Sequence, residues 1–215
     1  FFKQKTAYEM CRGDWSSAVC SSDLPDQMLE AAGLNWEVKK FPSFAILDEN
    51  DPDSVIETGQ SALIRMKDKK MLDVVSDDWN PVQNAEAFDF FNEFVMAGDM
   101  EMHTAGSLKG GQMVWALAKI NNTMEFFKGD QVDSYLLFSN PHQYGKTIDI
   151  RFTPIRVVCN NTLTLSLDQK TEQSVRVGHR VEFDPHTVKT ALGIAREKMG
   201  VYGEMAKFLG SKRFT

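Results

Sequence analysis

The three cysteines and four histidines of this sequence offer the widest chemistry, because both side chains act as bases, nucleophiles or metal ligands. Cys11 and Cys20 lie within the first 24 residues, so Cys159 is the one thiol in the rest of the chain. A thiol nucleophile needs a base beside it and a group to orient that base. Cys159 lies in an apolar, strand-like run, which favours a small buried hydrophobic residue. An enzyme that uses Cys159 or a histidine is kept as an alternative.

The spacing of the histidines does not predict a metal centre, since no two lie three or four residues apart on a helix with a carboxylate beside them. We expect His142 in a turn, His179 beside a glycine, and His186 at a helix start to be solvated. His103 should lie on the polar side of a strand. Gly110-Gly111 lacks the Lys-Ser/Thr of a phosphate-binding loop. The sequence therefore predicts no catalytic, metal or cofactor site.

Basic residues are concentrated in the last third of the chain. Lysines and arginines number 10 against 20 acidic residues in 25–148, and 11 against 7 in 149–215, within a chain of net charge −6. A basic region of this kind is typical of phosphate binding. The candidate nucleic-acid contacts are Arg151, Arg156, Arg176, Arg180 and Lys189, with Asn160 and Asn161 as polar additions.

Strand periodicity places some of these residues on common faces. Arg176 and Arg180 differ by an even number, so in a regular strand they share a face, whereas Arg151 and Arg156 face opposite ways. Two alternatives stay open. The arginines pair with the acidic middle of the chain, or Asn160 and Asn161 merely end a strand by bonding to nearby backbone.

The elements that would position these residues are mostly strands. Runs at 100–108 and 112–120 are joined by Lys109-Gly110-Gly111, which predicts a β-hairpin because paired glycines allow positive φ angles. Further strands are predicted at 132–138, 147–158 and 174–181. No helix-length crossover separates these runs, so the sheet should be mostly antiparallel. The fold class predicted is α+β.

Two helices frame this sheet in the prediction. Asn80-Pro81 looks like a cap followed by proline in the first helical position, with a helix running to about Ala97. Asp184-Pro185 starts a long C-terminal helix by the same logic. Its narrow apolar seam packs on the sheet or on a partner helix, and the latter would give a homo-oligomer.

The first 24 residues have neither the layout of a secretory signal nor that of a transit peptide. Their pieces FFKQKTAYEM, DWSS and VCSSDL are similar to a translated sequencing adapter. We therefore expect residues 1–24 to be non-native and to pack against nothing. The expected domain is a single α+β unit over residues 25–215, truncated at its N-terminus.

Four stretches carry a family resemblance: 31–36 (AAGLNW), 80–84 (NPVQN), 104–108 (TAGSL) with Trp115, and 156–163 (RVVCNNTL). In this order the chain resembles the phage- and plasmid-borne proteins of the domain of unknown function (DUF) 932. The resemblance implies carriage by mobile genetic elements and supplies no reaction, cofactor or catalytic residue. A Trp-His-Gly-Leu-Gly-like motif usual near the start of such proteins does not occur.

The function expected from these observations is a non-enzymatic interaction protein of phages or plasmids, in DNA transactions such as single-strand annealing or recombination. Single-stranded DNA is the expected partner. A regulator that binds a host protein is the other alternative. No run of about 18 to 20 apolar residues occurs, so neither a membrane span nor a membrane partner is expected, and the predicted location is the cytoplasm.

Overall fold

A computed structural model describes residues 19–22, 24–121, 124–127, 130–157, 160–168 and 174–191. Within these ranges the fold is α+β with antiparallel sheets, which confirms the predicted class. Cys159 and residues 192–215 lie outside the described residues, and with them the predicted role of the thiol and most of the predicted C-terminal helix. Its first turns are helical at 185–191.

The larger sheet has six strands in the order β1-β5-β6-β9-β10-β11, each antiparallel to its neighbours. Their bounds are β1 Val19–Ser22, β5 Met100–Leu108, β6 Met113–Ile120, β9 Tyr135–Pro141, β10 Ile148–Thr153 and β11 Ser174–Val177. The predicted hairpin at 100–120 is confirmed. Its turn at Lys109–Gly111 uses φ angles of 64° at Gly110 and 100° at Gly111, which glycine adopts without steric cost.

One expectation about the N-terminus is wrong. Residues 19–22 form the edge strand β1, paired with β5 through Val19 opposite Ala105 and Cys20 opposite Thr104. Backbone pairing does not depend on side-chain identity, so composition gave no warning of it. An adapter origin for residues 1–24 is a separate statement and stays a prediction.

A second sheet of three strands stands beside the first: β2 Val38–Asp48, β3 Asp51–Arg65 and β4 Lys70–Ser76. A short ribbon pairs β7 Met124–Phe127 with β8 Asp130–Val132. Strand β2 starts at Val38. Leu34 and Trp36 precede it and are buried in the core.

Helix α1 (Pro25–Ala31) and helix α2 (Asn84–Met96) cover one face of the larger sheet. Helix α2 begins three residues later than predicted. The cap was expected at Asn80, but the N-cap is Gln83, which forms a capping box with Glu86. Gln83 also binds both backbone groups of Val38, at 3.0 Å each, and so fixes the helix start to β2. Residues 80–83 are extended.

The sheet divides the core in two. On one side lie α1, α2 and the second sheet, around Phe88, Phe90 and Phe91. On the other side lies helix α3 (Asn160–Asp168), whose Leu163 packs with Trp115 and Leu137. Helix α3 was not predicted from the sequence. Asn160 and Asn161, expected to end a strand or to add polar contacts to nucleic acid, begin this helix. The strand predicted to reach residue 158 ends at Thr153.

Candidate nucleic-acid interface

A cleft of about 590 Å³ lies between α3 and the end of the larger sheet. Its floor comes from β6, β9 and β10, and its walls from α3 and from the loops at 109–111 and 143–147. These loops reach the same place because the strands alternate in direction. Met113 at the start of β6 lies opposite Pro141 at the end of β9, and Ile148 at the start of β10 lies opposite Val177 at the end of β11. The turns that precede Met113 and Ile148 therefore lie at the same end of the sheet.

Positive charge dominates the lining of the cleft, although the whole chain carries −6. The charged lining residues are the four bases Lys109, Lys146, Arg151 and Arg176 and the two acids Asp149 and Asp168. Lys109 and Lys146 are exposed, and neither forms an ion pair within the part of the chain that the structure describes. A concave surface with excess positive charge concentrates anionic ligands.

Arg151 forms the inner support of the cleft. Its side chain is 1% exposed, and it donates to the carboxylate of Asp149 from Nε at 2.5 Å and also from Nη2. Nη1 donates to the backbone carbonyls of Ser166 and Leu167 at 2.8 and 2.9 Å. A cation at these carbonyls stabilises the C-terminal end of α3.

Two further bonds complete this support. Ser166 is buried on α3 and its hydroxyl lies 3.1 Å from that of Thr153 on β10. Arg176 of β11 donates from Nε to Asp149 at 2.9 Å, while its side chain stays 62% exposed. Arg176 thus keeps most of its guanidinium toward solvent, whereas Arg151 is fully used inside the protein.

The structure brings together three of the seven predicted contact residues, since Arg151, Arg176 and Asn160 line the cleft. The expected phosphate contact by Arg151 is corrected: its guanidinium is buried and holds Asp149 and α3. Arg156, Asn161, Arg180 and Lys189 do not line the cleft.

Several predicted contacts instead follow the alternative of pairing with acids. Arg180 binds Asp78 at 2.9 Å, and Lys189 binds Glu93 at 2.6 Å. Arg176 and Arg180 do not share a strand, because β11 ends at Val177 and Arg180 lies in the following turn.

Lys109 and Lys146 were missed from the sequence because each stands in a different hairpin connection. The signal was the order of the strands: in an antiparallel meander, alternate turns lie at the same end of the sheet. The loop of Lys146 also holds Tyr144, whose side chain is 57% exposed. Its backbone nitrogen donates to Asp73 at 2.8 Å, which fixes the loop while leaving the ring in solvent. Tyr144 itself does not line the cleft, but an exposed aromatic ring in the loop of Lys146 offers a surface on which a nucleic-acid base can stack.

The histidines differ from expectation. His142, predicted to be solvated, is completely buried: its Nε2 lies 3.0 Å from Asn84 Oδ1, and its ring lies 5.5 Å from that of Trp36. The Asn84 amide nitrogen donates to the Leu34 carbonyl at 2.9 Å, so its oxygen accepts and His142 Nε2 carries the hydrogen. Burial then lowers the pKa of His142 to about 3.

His179 is also buried, again contrary to expectation, and stacks on Trp79 with ring centroids 4.0 Å apart. Burial lowers its pKa below the ordinary range, although its bond to the Asn80 carbonyl acts in the opposite direction. His103 is half-buried against Tyr135 with its Nδ1 inside the protein, and the charged side chains of Arg156, Lys119 and Glu101 act on it, in keeping with the predicted polar side. Burial and then the charge of Arg156 lower the pKa of His103. His186 is exposed, as expected.

Among the described residues, no three acidic, histidine or cysteine side chains cluster closely enough to hold a metal ion. No helix within the described ranges is both long and apolar enough to cross a membrane.

The family to which this chain belongs is known from a match to a family model. The family described as "Domain of unknown function (DUF932)" matches residues 71–215. The chain belongs to the DUF932 family. The DUF932 match contains all of the residues that line the cleft, whereas β2 and β3 precede it. Searches of curated proteins and of solved structures gave no match.

Proposed function

We propose that this DUF932 protein is a non-enzymatic binding protein of phages and plasmids, and that its cleft binds single-stranded nucleic acid during strand annealing or recombination. The observation that carries the proposal is the grouping of Lys109, Lys146 and Arg176 around one concave surface of an acidic protein. Positive grooves of this kind follow the phosphates of a single strand.

Tyr144 supports a single strand over a duplex. Unpaired bases present their faces and stack on exposed aromatic rings, whereas the bases of a duplex are already stacked on one another. The loop that carries Tyr144 also carries Lys146, so one segment offers a ring for a base and a cation for the adjoining phosphate.

Charge reversal at the cleft tests this proposal. We expect Lys109→Glu/Lys146→Glu to abolish binding of a labelled single-stranded oligonucleotide. The matched control is Lys119→Glu/Lys189→Glu, which changes the net charge equally but alters lysines paired with Asp133 and Glu93 away from the cleft. The control should keep most of the affinity. Equal loss in both variants would show that net charge alone governs binding, and would contradict a role for the cleft.

Two other functions stay predictions from the sequence: an enzyme that uses Cys159 or a histidine, and a regulator that binds a host protein. For the first, the buried positions of His142 and His179 give no support, because neither side chain lines the cleft described above.

A further inference from the structure

The hairpin of β2 and β3 extends beyond the body of the protein. Strand β4 pairs with β3 only from Gln60 to Arg65, so β3 from Asp51 to Gly59 is paired with β2 alone. We call residues 43–59 the arm. Most of its side chains are exposed, including large apolar ones.

Both faces of the arm carry exposed apolar side chains, including Ile46 and Val55 on one face and Ile56 on the other, but only the face of Ile56 continues as an exposed face at the body. Directly opposed residues share a face in an antiparallel pair, and the inward face at the body carries Leu63 opposite Lys40 and Ser61 opposite Val75. The outer face carries the opposed pairs Phe41–Ala62, Ala45–Ile56 and Ile64–Met71, with Leu47 nearest the tip. Leu47 is 67% exposed, Ile56 54% and Met71 56%.

The two ends of this face carry opposite charge. The tip has four exposed acids within six residues, namely Asp48, Glu49, Asp51 and Asp53. At the other end of β3, the turn into β4 has the exposed lysines 67, 69 and 70, and its Asp68 is already held by Arg65. The sheet is therefore acidic at the tip, partly apolar along its length, and basic at its base.

We propose that the outer face binds the outer face of a second copy of this chain, with the two arms antiparallel about a two-fold axis. Only an antiparallel arrangement places the acidic tip of each copy at the basic turn of the other. It also places Leu47 of one copy near Met71 of its partner, so apolar residues meet toward both ends of the contact, on either side of the polar residues Ser43, Thr58 and Gln60. An isologous contact of this kind closes at two copies.

The dimensions of the face set the strength of this dimer. Strand β3 has 15 residues, which at about 3.3 Å per residue gives a length of about 50 Å, and two to three strands give a width of about 10 to 14 Å. The contact then covers on the order of 1,000 Å² over both copies, the lower limit for specific interfaces. The dimer should therefore dissociate on dilution through the micromolar range.

Adjacent residues on opposite faces give a matched pair of variants. Ile56 lies on the outer face, whereas Val55 is opposed to Ile46 on the other face and is 46% exposed. In sedimentation equilibrium we expect Ile56→Asp to weaken the dimer about 100-fold, because the change occurs twice in the interface. Val55→Asp should leave the dimer constant within about threefold, since the same charge is added outside the contact.

Charge exchange tests the antiparallel arrangement. Glu49→Lys/Asp51→Lys/Asp53→Lys leaves one acid beside three lysines and so reverses the charge of the tip, and Lys67→Glu/Lys69→Glu reverses the charge of the turn. Each variant alone places like charges together at both ends and should be monomeric. An equimolar mixture of the two restores opposite charges at both ends, so it should form a heterodimer that native mass spectrometry separates by mass.

Any of three results would overturn this inference. The first is a wild-type chain that is monomeric at about 200 µM, far above the micromolar dissociation range expected for an interface of this size. The second is an equal loss of dimer in Ile56→Asp and Val55→Asp, and the third is a mixture of the reversed variants that stays monomeric. If the wild-type chain does not dimerise and the turn variant loses oligonucleotide binding, the basic turn binds nucleic acid instead of a second copy. Because none of the residues 43–59 lines the cleft, failure here leaves the charge-reversal test at Lys109 and Lys146 unaffected.

Discussion

Arg151 and Asp149 lie two residues apart on β10, and the guanidinium of one closes two hydrogen bonds on the carboxylate of the other inside the protein. The remaining guanidinium nitrogen holds the end of α3 through the Ser166 and Leu167 carbonyls. The wall of the cleft therefore depends on an ion pair whose guanidinium is bonded to groups of the protein itself. Arg151 acts as a positioning residue, and exposed lysines supply the charge that a ligand meets.

Removal of Arg151 should destabilise the fold strongly. Arg151→Ala leaves Asp149 buried with one partner fewer and releases the carbonyls of α3, so we expect the free energy of unfolding to fall by about 3 to 5 kcal/mol. Arg180→Ala is the matched control, because it breaks an exposed ion pair with Asp78 and should cost at most about 1 kcal/mol. Urea unfolding measures both. Similar losses in the two variants would contradict the supporting role of Arg151.

Stability should depend on pH through His142. Its pKa is about 3 in the folded protein and about 6.5 in an unfolded chain. Between these values the unfolded chain takes up a proton that the folded protein does not. This contribution to stability is therefore complete above pH 6.5 or so and is lost progressively as the pH falls toward 3.

The expected size follows from the same linkage. At about pH 5 the free energy of unfolding should be lower than at about pH 7.5 by roughly 2 kcal/mol from His142 alone. His142→Gln removes this part of the dependence, and His186→Gln, at an exposed histidine, should not. A wild-type stability that stays constant between these pH values would show that His142 does not remain neutral inside the fold.

Tyr144 should contribute to binding through its ring. We expect Tyr144→Ala to weaken the binding of a single-stranded oligonucleotide by about 1 to 3 kcal/mol, while Tyr144→Phe keeps the ring and most of the affinity. The bond from the Tyr144 backbone nitrogen to Asp73 is present in both variants, so the loop keeps its place. Fluorescence anisotropy makes the comparison. If both variants bind like the wild type, stacking on this residue does not occur.

Local patterns in the sequence predicted some elements well and others poorly. The hairpin around Gly110 and Gly111 was predictable because the turn itself demands positive φ angles. The start of α2 was not, since Asn80-Pro81 matches the local cap pattern but Gln83 makes long-range bonds to Val38 that decide the helix start. Helix α3 was missed because its polar first turn, Asn160 to Thr162, resembles a loop and its Leu163 packs on a distant part of the chain.

The candidate site was predictable in part for the same reason. The basic last third of the sequence contains Arg176, which lines the cleft, but burial of Arg151 depends on its neighbours Asp149 and Ser166 in space. The burial of His142 could not be predicted from the sequence either, because its partners are Asn84 and Trp36, which lie more than 50 positions away along the chain. The sequence shows where the charged residues are, whereas packing in the folded protein decides which of them are exposed to a ligand.

The salt dependence of oligonucleotide binding tests the central claim, that three cations of the cleft contact the phosphates of a single strand. Three contacts predict a slope of about −2 for the logarithm of the binding constant against the logarithm of salt concentration, at roughly −0.7 per phosphate. Lys109→Ala/Lys146→Ala leaves Arg176 alone and should reduce the slope to about −0.7. No binding at about 50 mM salt, or an unchanged slope in the double variant, would contradict the claim.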